Sequence, residues 1–137
     1  MALGLQYNYS KIFKVKMNQE RIVILGASEN QEKASYVATK LLYNRGYDIY
    51  ALNEEKGNIG HIKIHDFSET LTEAETITVF FSPLKQKSYY EFILALRPKR
   101  IVFNPETDNP ELEELARQHH IKVVKGCTIA LLINGMW

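Results

Sequence analysis

The sequence predicts one α/β domain, a doubly wound and mainly parallel sheet with helices on both faces. Three observations predict it. Short strand-like runs at residues 22–25, 76–81, 101–103 and 121–124 alternate with stretches of helical periodicity. The first two runs are apolar or β-branched throughout, as strands covered on both faces are. Right-handed crossovers between parallel strands then limit the topology to a doubly wound sheet.

Each element has a local reason. Residues 21–30, RIVILGASEN, read as a buried strand, a tight turn and a helix amino-terminus. Ser28 and Gln31 fit a capping box at that terminus. Ala34, Val37, Ala38, Leu41 and Leu42 then form one face of an amphipathic helix, closed by Arg45 and the C-capping Gly46. Residues 47–52 are a second strand ending at Asn53, and residues 54–60 a polar loop. Alternation at Ile62 and Ile64 marks a short edge strand over 61–65, and residues 68–71 a brief helical turn.

Residues 76–81 read as the central strand, placed beside the first. Ser82-Pro83 breaks it and opens a helix with the inner face Tyr89, Phe92, Ile93 and Leu96, ended by Pro98. After the strand at 101–103 and the loop at 104–108, Asn109 caps a helix with Pro110 at its first position. Leu112, Leu115 and Ala116 form its buried stripe. A last strand at 121–124 precedes an apolar tail, 127–133, that packs as a short helix.

Composition bounds the function. A formal net charge of +1 argues neither for nucleic acid nor for a membrane surface, so neither is expected as a partner, and no run approaches the length of a membrane span. The lone Cys127 rules out an internal disulfide and fits a reducing compartment, so a cytoplasmic protein is expected. Three lysines, Lys11, Lys14 and Lys16, stand in the first sixteen residues, which hold no acid. Residues 1–19 are therefore assigned to an extension or an over-long start, and 20–137 to the domain.

The turn at Gly26, Ala27 and Ser28 carries the functional signal. Glycine takes positive φ and lets a ligand approach the backbone, while free N–H groups at a helix start attract phosphate. The same tripeptide also serves as a plain strand-to-helix turn. Ligands of such sheets bind where the strand order reverses, so the turn, Asn53, Ser82 and Pro83 should meet there. The dinucleotide fingerprint is poor, with one glycine and no acid closing the second strand, and no Walker loop follows. The site favours phosphate without advertising NAD or ATP.

These residues resemble a known family, the small stand-alone CoA-binding proteins. Their Rossmann-like domain is similar to the CoA-binding part of the succinyl-CoA synthetase alpha subunit. The resemblance runs from about Arg21 to the end. It rests on VILGASEN (23–30) with Lys33 and Ser35, Leu52-Asn53, FNPETDN (103–109) with ELEELA, and Cys127-Thr128.

The resemblance implies coenzyme A as cofactor. Its pyrophosphate would lie on Gly26, Ala27 and Ser28, with Lys33 near the ADP phosphates and Lys56 a weaker candidate. Asn53 and Ser82-Pro83 would flank the adenosine. A lysine suits the additional 3′-phosphate of CoA where NAD calls for a carboxylate. Two departures stand out: Asn53-Glu54 where the family often has Asn-Pro, and Glu106 where it often has glycine.

No catalytic constellation is visible. His61, His65, His119 and His120 show no metal spacing and read as surface residues, and Asp66, Glu69, Glu73 and Glu75 form no evident acid/base pair. Cys127 is the one intrinsic nucleophile, able to form a mixed disulfide with the cofactor if it reaches the pantetheine thiol. The reading is a non-catalytic CoA or acyl-CoA binder of regulatory or carrier role, with an unidentified protein partner in view. Its alternatives are an NAD(P)-binding regulatory domain and a ligand-free interaction module on the same fold.

Overall fold

A computed structural model describes residues 20–137; the extension assigned to 1–19 lies outside the described residues. Strand β1 (Arg21–Leu25) leads to helix α1 (Ala34–Asn44), β2 (Asp48–Leu52), β3 (Gly57–Ile59), β4 (Ile62–His65) and β5 (Thr76–Val79). Then come α2 (Pro83–Gln86), a 3₁₀ turn (Lys87–Tyr89), α3 (Tyr90–Ala95), β6 (Arg100–Phe103), α4 (Pro110–Gln118), β7 (Lys122–Lys125) and α5 (Thr128–Ile133). The seven strands order as β3-β4-β2-β1-β5-β6-β7, parallel except for the β3–β4 hairpin.

Strand β1 lies between β2 and β5, in register Leu25 to Leu52 and Leu25 to Val79, so the order reverses at its carboxyl end as expected. Alternate residues of β1 feed two cores. Val23 and Leu25 pack with Ile93, Leu96, Leu112 and Ala116 on one face, and Ile22 and Ile24 with Leu42 and Leu132 on the other. Helices α3 and α4 therefore cover one face, α1 and α5 the other. Ser82 caps α2 by accepting from Lys85 N, and Asn109 caps α4 by accepting from Leu112 N, each with proline at the start of the helix.

Four expectations are corrected. Helix α1 begins at Ala34 with Lys33 as N-cap, so the capping box of Ser28 and Gln31 does not form. Ser28 and Asn30 instead bond nearby N–H groups, closing two side-chain turns that delay the helix. The loop at 54–60 contains β3, which pairs with β4 where two glycines hid the strand pattern. No helical turn forms at 68–71, because the Asp66 carboxylate takes the Ser68 N–H. The helix opened by Pro83 is split in two by the 3₁₀ turn.

Candidate functional site

The carboxyl ends of the strands open on two cavities. The first, about 380 Å³, lies over β2 and is walled by the turn residues Ala27 and Ser28, then Asn53, Glu54, Lys56 and Lys85 among others. The second, about 210 Å³, lies over β5, β6 and β7 and is walled by Ala34, Phe80, Asn104, Pro105, Glu106, Cys127 and Ile129. A larger trough of about 700 Å³ sits between α3 and α4, away from the strand ends. Sheets of this topology bind ligands at the strand ends, so these two cavities form the candidate site.

The turn is built tightly. Gly26 has φ of +104°, and a Cβ there would sit 3.1 Å from Phe80 C and Phe81 N. The glycine therefore serves the packing of the turn on the chain leaving β5, as well as its positive φ. The N–H groups of Gly26 and Ala27 both donate to Leu52 O, at 2.9 and 3.1 Å. Asn53 Nδ2 donates to Ala27 O at 2.6 Å and its Oδ1 accepts from Glu54 N at 2.6 Å, so this side chain locks the turn onto β2. The orphan donors sit further on, at the first residues of α1, whose N-cap Lys33 offers no side-chain acceptor.

Of the expected site residues, Ala27, Ser28 and Asn53 meet on the wall of the first cavity. Gly26 adjoins them in the turn. Lys33 is exposed at the start of α1, next to Ala34 on the wall of the second cavity. Ser82 and Pro83 stay off both walls, and Lys85 of the same helix reaches the first instead.

Glu54, one of the two departures from the family pattern, is held by two partners. Its carboxylate accepts from Tyr89 OH at 2.7 Å and pairs with Lys85 Nζ at 3.0 Å. These bonds, that from Tyr89 foremost, hold Glu54 below the usual carboxylate range. Burial and then the neighbouring Glu54 push Tyr89 up to about 12. Tyr89 in turn stacks on Phe67, with ring centroids 4.1 Å apart, so the charge cluster rests on an aromatic base.

The second cavity is shaped by a buried polar network. Asn104 Nδ2 donates to Thr78 Oγ1 and Val79 O, and its Oδ1 accepts from Thr128 N, fixing the start of α5 against β5. Gln86 Nε2 donates to Phe81 O and Thr107 O, and Gln86 Oε1 accepts from Asn109 Nδ2. Buried Glu113 accepts from Asn109 N and pairs with Lys125 at 3.0 Å. Within this braced loop Glu106 adopts φ of +72°, the left-handed region that favours glycine. That conformation explains physically why glycine suits the position.

Sequence reasoning missed Glu29, Lys85, Asn104 and Gln86. The first two were findable as neighbours of the turn and of the Ser82 cap; Asn104 was findable as the residue just past a strand carboxyl end. Gln86 carried no signal. His61, His119 and His120 are exposed, as expected of surface residues. His65 stacks on Tyr50 and contacts Glu69, a pairing not anticipated. Among the described residues no cluster suits a metal ion, and no helix is long and apolar enough to cross a membrane.

Order reversal at β1, a glycine turn and a helix start beside it define a Rossmann-like α/β domain. The chain belongs to the CoA binding domain family, whose profile matches residues 20–132. It is similar to an uncharacterized protein of known crystal structure, with 33% identity, 87% of this chain and 98% of that one covered, and a TM-score of 0.82. A hypothetical protein from Pyrococcus horikoshii OT3 aligns at 21% identity over 91% of this chain and 89% of its own, TM-score 0.76. The cell-free ID.343 protein from Thermus thermophilus aligns at 17% identity over 93% and 98%, TM-score 0.73. The last two are likenesses of fold. No curated protein matches the chain.

Proposed function

We propose that this chain binds coenzyme A or an acyl-CoA without transforming it, in a regulatory or carrier role. The observation that carries the reading is a family match spanning 20–132, and with it the whole of the two-cavity site. The adenosine lies over β2 in the first cavity, the pyrophosphate over the turn and the start of α1, and the pantetheine runs toward the second cavity. Lys33 answers the ADP phosphates, with Lys56 and Lys85 on the adenosine side. Asn53 and Asn104 are engaged in structural bonds, which supports a rigid frame around the two cavities.

The test is thermal melting with CoA, dephospho-CoA, acetyl-CoA, NAD and ADP. A ligand at about 100 times its Kd adds about 2.7 kcal/mol, a shift of several degrees for a domain this size. Stabilisation by CoA well above that by dephospho-CoA is expected, and an equal or larger response to NAD would assign the site to a dinucleotide. One observation favours a second reading. Among the described residues, Glu29, Glu54 and Glu55 face only Lys56 and Lys85 around the first cavity, a poor setting for an anion. Silence toward every nucleotide would assign the chain to a ligand-free interaction module.

A further inference from the structure

The second cavity differs in character from the first. Its wall is Ala34, Phe80, Pro105, Cys127 and Ile129, with Asn104 already saturated by Thr78, Val79 and Thr128. Glu106 is the one charged side chain on it among the described residues. Buried bonds brace the loop that carries Glu106: Thr107 Oγ1 donates to Asn104 O at 2.7 Å, and Gln86 Nε2 donates to Thr107 O at 2.9 Å. The backbone of Glu106 is thus placed by the fold, at a φ of +72° that the sequence tolerates without glycine, and its side chain stands exposed at the edge of the cavity.

We infer that this cavity receives the thiol end of the cofactor and that Glu106 sets its acyl specificity, admitting the free thiol or a short neutral acyl group and rejecting acyl groups that end in a carboxylate. The inference rests on the CoA reading above. Volume sets the length limit. At about 30 Å³ per non-hydrogen atom, a cavity of about 210 Å³ holds about seven such atoms, enough for a succinyl group beyond a thiol at its mouth, so size excludes neither acetyl nor succinyl. A palmitoyl chain needs about twice that space. Charge sets the polarity limit, because a second carboxylate brought into this mostly apolar space beside the exposed carboxylate of Glu106 meets like charge at close range.

The experiment is calorimetric titration of the wild-type chain and of Glu106→Gln with CoA, acetyl-CoA, succinyl-CoA and palmitoyl-CoA. For the wild type, CoA and acetyl-CoA should bind within about threefold of each other, and succinyl-CoA about tenfold more weakly, the equivalent of about 1.4 kcal/mol. Palmitoyl-CoA should gain nothing over acetyl-CoA. Glu106→Gln should bring succinyl-CoA to within about threefold of CoA, both measured on the same variant. Succinyl-CoA binding as tightly as CoA to the wild type, or an unchanged ratio in the variant, overturns the inference and leaves the CoA reading standing. Failure of CoA itself to bind overturns both.

Discussion

Substituting Gly26 by alanine tests the geometry of the central turn. The φ of +104° costs an L-residue about 1–2 kcal/mol. The added Cβ lies 3.1 Å from Phe80 C, Phe81 N and Phe81 Cδ1, and two of those three are backbone atoms with no flexible end to swing aside. Shifting that backbone adds about 1–2 kcal/mol, while the stiffer unfolded chain returns about 0.5–1. The net loss is about 2–3 kcal/mol, or about 6–12 °C in Tm. Gly60→Ala is the control, since its φ is +62° and nothing lies within 4 Å of its Cβ position. It should lose about 0.5–1 kcal/mol. Urea unfolding with a shared slope measures both. A Gly26→Ala loss within about 0.5 kcal/mol of the control would refute the close packing of the turn on Phe80 and Phe81.

The network around the second cavity gives Glu113→Ala a loss of about 3 kcal/mol, because Asn109 N and Lys125 lose a buried acceptor; exposed Glu114→Ala, run beside it by urea unfolding, should lose under about 0.5. Asn104→Ala should cost about 2–4 kcal/mol and, by releasing the start of α5, raise the rate at which Cys127 reacts with a thiol reagent. Tyr89, raised to about 12, contributes stability that is present below about pH 10 and lost as pH rises toward 12; Tyr89→Phe should flatten that limb of the stability profile. Glu54 has the opposite sign. Its depressed folded value gives stability present above about pH 4.5 and lost as pH falls through the lower folded value, so Glu54→Gln should be less acid-sensitive than the wild type in urea melts. Lys33→Ala should weaken CoA about tenfold by titration and Lys85→Ala less, because Lys85 is already paired with Glu54 whereas Lys33 forms no ion pair among the described residues.

The parts of this fold legible in the sequence are those written in local chemistry. Residues 22–25 and 76–81 read as buried strands because their positions are apolar or β-branched throughout, and the structure buries 22–25 and 76–79 fully but ends the second strand at Val79. Ser82-Pro83 and Asn109-Pro110 read as helix starts because cap and proline act within three residues of each other. Failure came where two local rules competed. Ser28 suits a helix cap and also a side-chain turn, and the turn won because Asn30 extends it by a second bond of the same kind to Glu32 N. Strand β3 escaped because its two glycine-flanked turns read as loop, and only pairing with β4 rewards an extended conformation there.

The site was legible in position but not in the use of its side chains, and the reason is physical. A strand order that reverses beside a glycine turn follows from sequence pattern and crossover handedness alone. Whether an asparagine at a strand end faces a ligand or the protein depends on which backbone groups the fold leaves unpaired. The tight turn directs Ala27 O toward Asn53, and the order β5-β6 with α5 above it directs Thr128 N toward Asn104. Both amides are then spent on closing the fold, since a buried unpaired backbone group costs about 1–3 kcal/mol. The groups that packing does not claim, among them the donors at the start of α1, Lys33 and the carboxylate of Glu106, are the ones to which the proposed function gives recognition. Lys33 and Glu106 are both exposed, and the sequence already displayed them, the first as a phosphate candidate and the second as a departure from the family pattern.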